Sequence, residues 1–392
     1  MKIFFTRTTV FISTILVLLI STNKNYAQTL PHPDHIVVCI MENHPYNSLV
    51  ANNSIFGNPA APYINALTTD SGSANFTNMH AIEHPSQPNY LDMFSGSNQG
   101  MTTDNLPTNY PFTTPNLARQ LIDSSLTYIA YSEDLPSVGF DGDYNSYARK
   151  HNPVTNWVGT GTNQVDSTLN QPLTAFPSPT GYDSLPTVAY VVPNKDNDMH
   201  NGTDPARITL ADTWLQTHLD SYIQWAKTHN SLFILTWDED DGTSAALLSN
   251  QIPTIFVGEM VKTGQYSENI NHFNVLRTIE DMYNLGHAGQ AAGKSPITDC
   301  WKSTISGINN VVESDKVGKV YPNPAVSGTW NIEVGNEYLG GIAQVYDADG
   351  RVVWESAIKN LKSEIAPNIS RGIYLLRISS STNSIVQKLV RL

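Results

Sequence analysis

Five apolar runs with almost no polar residue inside them set the terms for this chain: residues 36–41, 127–131, 187–192, 232–237 and 253–257. A strand with one face in water alternates apolar and polar residues. An uninterrupted run of this length predicts a strand covered on both faces, and helical crossovers supply that cover. Helical patterns fall between the runs. Over 209–229, Leu210, Trp214, Leu215, Leu219, Tyr222, Ile223 and Ala226 recur at helical spacing and form a broad apolar stripe. Over 273–285, Leu276, Ile279, Met282 and Tyr283 do the same, with Asn271 available as a cap. Strands alternating with helices predict an α/β domain with a mostly parallel central sheet and helices on both faces.

The texture changes after Trp301. Residues 303–315 are polar and read as a linker, and 316–392 carry short strands at 331–334, 343–346, 352–355, 372–378 and 385–392, with a turn signal at Asp349-Gly350. That spacing predicts a small all-β sandwich. The opening Met1-Lys2-Ile3-Phe4-Phe5-Thr6-Arg7 followed by an apolar run over 10–20 predicts a secretory signal over residues 1–27, too short to span a bilayer. The catalytic domain is then expected over 28–302, with no internal repeat. Removing the signal takes away Lys2, Arg7 and Lys24 and no acid, so the formal charge moves from −13 to −16. An acidic chain of this kind repels phosphate backbones, which argues against nucleic acid as a partner. Two cysteines, Cys39 and Cys300, make neither a disulfide framework nor a thiolate zinc site.

Open parallel sheets bind ligands at the carboxyl ends of their strands. Here the runs empty into polar clusters: Glu42-Asn43-His44 after the first, Asn194 to His200 after the third, Asp238-Glu239-Asp240-Asp241 after the fourth, and Asn271-His272 beyond the fifth. Carboxylates, amides and imidazoles gathered at one edge are ligands for hard or zinc-type divalent ions. Each cluster alone has a plainer reading. The Asp238 segment suits a solvated turn, Asp198-Met199-His200 a surface loop, and His272 a cap. Their coincidence at corresponding strand ends favours a site.

A further piece is His84-Pro85-Ser86-Gln87-Pro88-Asn89-Tyr90. Ser86 falls where a helix begins, with Pro88 in its first turn. A hydroxyl there lies against unsatisfied backbone N–H groups and the positive helix end, a place that receives phosphate; the alternative is a plain serine cap. His151, in a basic loop, can clamp a phosphate, protonate a leaving group, or simply face solvent.

Taken in order, Glu42-Asn43, His84 to Tyr90, Asn197-Asp198-Met199-His200, Thr236-Trp237-Asp238-Glu239 and Asn271-His272 resemble the motifs of the phosphoesterase family, which holds acid phosphatases and bacterial phospholipases C. The resemblance spans about residues 34–300. It implies an alkaline-phosphatase-like fold, Ser86 as a nucleophile that becomes phosphorylated, and a divalent metal on Glu42, Asn43, Ser86, Asp238 and Glu239. It also implies phosphate or leaving-group contacts from His84, Asn89, His151, Asp198, His200 and His272. One ion or two are both compatible, with Asp198, His200 and His272 as the second set, and zinc, calcium or magnesium as the metal. Where phospholipases C carry an Arg-Ser-Phe-Asp type string, this chain has His44-Pro45-Tyr46-Asn47, and Asp240-Asp241-Gly242 replaces their His-Gly-Gly. Those departures favour a phosphomonoesterase on a phosphorylated small molecule or lipid. A phosphodiesterase of the phospholipase C type and an inactive surface-binding protein are the alternatives.

In the C-terminal part, Lys319-Val320-Tyr321-Pro322-Asn323-Pro324, Val345 to Arg351, Gly372-Ile373-Tyr374-Leu375 and the closing Gln387 to Arg391 resemble the sorting domain of type IX secretion. That resemblance implies export by a secretion machinery, with release or attachment at the cell surface.

Overall fold

A computed structural model describes residues 30–47, 53–242, 250–302, 319–347, 350–380 and 384–392. The expected signal segment 1–27 and linker 303–315 lie outside them. The chain divides into two units, Met1–Thr304 and Ile305–Leu392.

The apolar runs become the middle of an eight-stranded sheet. They are β1 (His35–Met41), β4 (Tyr128–Ser132), β6 (Val188–Val192), β7 (Ser231–Trp237) and β8 (Thr254–Val257). Every residue of β6, β7 and β8 is buried, which is what a run without alternation demands. Three further strands complete the sheet: β2 (Ser73–Phe76), β5 (Asn170–Pro172) and β9 (Gly264–Tyr266). The strand order is β5-β4-β6-β1-β7-β8-β2-β9. Sequence reasoning passes over β2 because Ser73 and Asn75 are polar. Both are nevertheless buried, and Asn75 donates to the Tyr46 hydroxyl at 3.0 Å.

One expectation needs correcting. The run at β8 does not end at the same edge as the others, because β8 pairs antiparallel with both β7 and β2. Burial on both faces carries no mark of strand direction, so the pattern cannot show it. The chain comes back through β9, parallel to β2, before β10 (Ile270–Asn271) pairs with β3 (Met79–His80). That return brings Asn271 and His272 to the edge where β1 and β7 end.

Among the described residues, five helices accompany the sheet: α1 (Pro62–Leu67), α2 (Ser86–Ser95), α3 (Leu117–Asp123), α4 (Ala206–Ala226) and α5 (His272–Met282). Asn271 caps α5 as expected, accepting from the Phe273 N–H, with Asn274 reciprocating in a capping box. All ten residues of α2 are buried. Its C-terminal end is fixed by Gly96, which is left-handed at φ 66° and whose carbonyl accepts from Gln290 N at 2.7 Å. A Cβ on Gly96 would run into the Ala288 carbonyl oxygen, so only glycine permits this approach.

The C-terminal unit holds two antiparallel sheets, ordered β11-β12-β15 and β14-β13-β16-β17. Their strands are β11 (Lys319–Tyr321), β12 (Trp330–Glu333), β13 (Ile342–Tyr346), β14 (Val352–Ala357), β15 (Lys362–Ile365), β16 (Gly372–Ser379) and β17 (Ser384–Arg391). Trp330, Ile332, Val345, Leu376, Ile378 and Leu389 fill the core between them. The expected sandwich is present, with β11 and β15 added to the strands read from sequence.

Glu280 of α5 is buried with one carboxylate oxygen accepting from Ala288 N at 2.7 Å and the other without a partner among the described residues. Burial raises its pKa from 4.5 to about 7. Between those values the folded chain keeps a proton that the unfolded chain releases, so this group makes stability fall as pH rises. Unfolding free energies from urea titrations, compared below and above that window, should therefore drop more for the native chain than for Glu280→Gln, by on the order of 3 kcal/mol.

Candidate active site

The parallel register sets the first contacts. Met41 of β1 lies opposite Trp237 of β7, so Glu42 and Asp238 leave the sheet side by side. Asp238 N donates to the Met41 carbonyl and Asn43 N donates to Asp238 Oδ1, each at 3.0 Å. Asn43 makes this turn at φ 52°. The loop after β6 folds back onto the same place, with Glu42 N donating to the Asp198 carbonyl at 2.8 Å.

From the other side, β2 delivers the segment that leads into α2. Ser86 is the first residue of that helix. Its hydroxyl stands 3.0 Å from Glu42 Oε2, 3.0 Å from Glu239 Oε1 and 3.5 Å from Asn43 Oδ1. Tyr90, one turn along α2, donates to Glu42 Oε1 at 2.5 Å. Thus Glu42, Asn43, Ser86, Asp238 and Glu239, far apart in sequence, occupy one small volume.

The charge in that volume is extreme. Glu42, Asp198, Asp238, Glu239 and Asp240 are all buried. Burial and the neighbouring Asp238 and Asp198 push the Glu42 carboxyl well up; burial does the same for Asp198. Burial and Glu239 raise Asp238 to about 8. Asp238 Oδ2 and Asp240 Oδ2 have no hydrogen-bond partner among the described residues. Buried carboxylates in such numbers are costly unless a cation meets them, and oxygen-rich clusters fit divalent ions.

His151 changes character in the structure. It is fully buried, stacked on Tyr90 with ring centroids 5.1 Å apart, with Nδ1 3.1 Å from Asp198 and Nε2 3.2 Å from Glu42. Burial holds its pKa well below the usual imidazole value. A neutral imidazole is a ligand, and Glu42, His151 and Asp198 each offer an atom within 4.8 Å of the others. The solvent-facing alternative for His151 is therefore wrong, and Asp198 stands with this group. His200 is half-buried, its N–H donating to Asp198 Oδ1 at 2.8 Å. His84 pairs with Asp240 and Glu239, which together raise its pKa to about 10.

Two expected phosphate contacts make hydrogen bonds to the scaffold. Asn89 Oδ1 accepts from Ile82 N and Glu83 N, both at 3.1 Å, and Nδ2 donates to the Glu83 and Pro85 carbonyls. Its amide is used up in bracing the segment before Ser86, which makes it a positioning residue. His272 donates from Nε2 to the Trp237 carbonyl at 2.9 Å, beneath the acidic turn, and burial lowers its pKa to about 4. Its Nδ1 has no hydrogen-bond partner among the described residues.

Sequence reasoning missed Tyr90, Asp240 and the support behind Glu42. There, His44 donates from Nδ1 to the Glu42 carbonyl at 2.8 Å and its Nε2 lies 3.0 Å from Asp204. Tyr90 was within reach of pattern, since four residues on from Ser86 shares its helix face. Asp240 sits in a string that reads equally well as a turn.

Residues 53–286 match the phosphoesterase family. The chain belongs to that family. Residues 319–391 match the secretion system C-terminal sorting domain, which marks the protein for export, with secretion or attachment at the cell surface. The phosphatidylinositol-3-phosphatase of Mycobacterium tuberculosis is 43% identical over 276 residues, covering 70% of this chain and 85% of that protein. An acid phosphatase of Aspergillus fumigatus is 26% identical over 269 residues, covering 65% of this chain and 59% of the fungal protein. Among solved structures, a protein of the alkaline phosphatase superfamily from Vibrio parahaemolyticus aligns with a TM-score of 0.47 at 11% identity, over 93% of this chain and 83% of that one. This phosphoesterase is a phosphoric-ester hydrolase. Among the described residues, no helix is long and apolar enough to cross a membrane.

If Asn89 only positions, Asn89→Ala should lower kcat by about tenfold or more with KM little changed, and cost about 2 kcal/mol of stability through the Ile82 and Glu83 N–H groups that lose their acceptor. A raised KM with kcat intact would instead return Asn89 to the ligand contacts.

Proposed function

We propose that this phosphoesterase is an exported, metal-dependent phosphomonoesterase that works through a phosphorylated Ser86. The observation that carries the reading is the Ser86 hydroxyl at the start of α2, 3.0 Å from each of two buried carboxylates. The mycobacterial relative, named for removal of a monoester phosphate from a lipid headgroup, supports the monoester preference.

Glu42, Asn43, Ser86, Asp238 and Glu239 would hold a divalent ion, and His151 and Asp198 extend the set. An all-oxygen set suits magnesium or calcium, and an imidazole nitrogen beside carboxylates suits zinc. Such an ion lowers the pKa of a coordinated hydroxyl and shields charge on phosphoryl oxygens. The remaining steps belong to the chain's own residues. Ser86 Oγ attacks phosphorus in line with the leaving oxygen, its proton passing to a carboxylate at hydrogen-bond distance. The bond from phosphorus to the leaving oxygen breaks, and His200 hands that oxygen a proton. The cationic His84 faces the phosphoryl group and stabilises its developing charge. Water then attacks phosphorus and gives a proton to His200, while the bond from phosphorus to Ser86 Oγ breaks and Oγ takes back the proton held by the carboxylate, releasing phosphate.

Ser86→Ala should lose at least about a thousandfold in kcat. Ion binding, followed by calorimetry, should survive in part. Acid-quenched native enzyme should yield a phosphorylated peptide containing Ser86, and full activity in Ser86→Ala would sink the mechanism. The native enzyme should cleave p-nitrophenyl phosphate far faster than its bis ester.

Exhaustive dialysis against a chelator should silence the enzyme and lower its Tm, because the buried carboxylates lose their compensating charge. Activity and Tm should both return when a divalent ion is restored. Unchanged rates after dialysis would count against the metal.

A further inference from the structure

Two cavities open beside Ser86, and they differ in charge. One, of about 290 Å³, is bounded by Asn43, His84, Arg207, Glu239 and Asp240. Its arginine is already spent, because the Arg207 guanidinium donates to both oxygens of Asp204 at 2.7 and 3.1 Å. The other, of about 260 Å³, is lined by Gln87, Asp104, Arg149, Lys150, Lys195 and His200.

The second cavity adjoins the site twice over, through Gln87, the residue after the nucleophile, and through His200. Its acids are already committed. Asp104 accepts from Gln87 N at 3.0 Å and from Lys150 Nζ at 2.6 Å. Asp143, also at its wall, accepts from Arg149 N at 2.8 Å. The Arg149 guanidinium belongs to the scaffold, bonded to Asp141 and to Asn156 and lying over the Tyr110 ring. Lys195 is different. It is half-buried, and its ammonium has no hydrogen bond or ion pair among the described residues, although its backbone is held by the Ser146 carbonyl at 2.9 Å. In a chain with a formal charge of −13, an ammonium without an ion-pair partner at the wall of a site cavity is a ligand-binding feature.

We propose that the Lys195 cavity is a leaving-group subsite for a second anionic group, so that preferred substrates are phosphomonoesters whose alcohol part carries another phosphate. The subsite rests on the phosphomonoesterase reading and narrows its substrate class. Lys195, together with the Lys150 N–H groups not used by Asp104, binds the second phosphate while the first lies at Ser86. In the other cavity His84 is paired with Glu239 and Asp240 and Arg207 with Asp204, so no cation there is left over for a second phosphate. A volume below the usual range for whole small-molecule sites fits a headgroup and excludes an acyl chain. The second phosphate can belong to a free metabolite or to the diester of a phospholipid headgroup.

The test uses the full chain with its ion and two matched substrate pairs. One pair is a hexose monophosphate and the corresponding bisphosphate; the other is an inositol monophosphate and its soluble short-chain phosphatidyl derivative. In at least one pair the doubly anionic member should have the higher kcat/KM, by about tenfold, one charge-assisted hydrogen bond's worth. Lys195→Ala should remove most of that ratio through KM, and Lys195→Arg should restore it. Preference in the sugar pair alone points to a metabolite, and in the lipid pair alone to a headgroup. Equal kcat/KM within both pairs, or a ratio unmoved in a folded Lys195→Ala, overturns the subsite and leaves the phosphomonoesterase standing. Hydrolysis of no monoester overturns both.

Discussion

Five carboxyl groups buried around one hydroxyl are the tension on which the rest of this molecule is arranged. Glu42, Asp198, Asp238, Glu239 and Asp240 come from three separate loops, and nothing about their mutual electrostatics favours bringing them together. The sheet does the work. Seven paired residues between β1 and β7, and the β1–β6 ladder beside them, fix the loop origins before any polar group is placed. Backbone bonds then tie the loops to one another: Asp238 N to Met41 O, Glu42 N to Asp198 O, and Asn43 N to Asp238. A frame of hydrophobic burial and hydrogen bonds holds like charges at a distance where a single cation would reverse the sign of the interaction.

The nucleophile is held from the opposite direction. Asn89 gathers the backbone on the approach to Ser86, and Asn250 does the same one layer out, donating to the Glu83 carbonyl and accepting from Asp240 N. Through Asn250, the loop after β7 and the segment before α2 share a clasp. Ser86 and Glu239 therefore meet because both are positioned by neutral amides. This separates the groups that set geometry from the groups that carry charge.

Much of this was legible in sequence, for definite reasons. Strands buried on both faces announce themselves as apolar runs, so β1, β4, β6, β7 and β8 could be placed. Direction cannot be read from such a run, and β8 was given the wrong sense. β2 escaped because its buried Asn75 donates to a tyrosine hydroxyl, a long-range pairing with no local trace. That Glu42, Asn43, Ser86, Asp238 and Glu239 come together could be anticipated because strand ends and a helix start are positions with known consequences. The histidines were harder. His151 looks like part of a basic loop, yet its ring lies in the core between Tyr90 and two acids, because the short helical turn Arg149–His151 rotates it inward. The roles proposed for Lys150 and Lys195 leave no trace in sequence, because a lysine in a loop has no period or cap to distinguish it from solvent-facing neighbours.

The complete burial of α2 has an evolutionary meaning. With all ten of its residues enclosed and its end pinned at Gly96, the helix that carries Ser86 is an anvil that tolerates little remodelling. Change in what this scaffold accepts falls more easily on the irregular segments around it, which contribute the half-buried Asp104, Lys150 and Lys195. Descendants of one ancestral hydrolase can thus diverge in diet while the hammering surface stays the same.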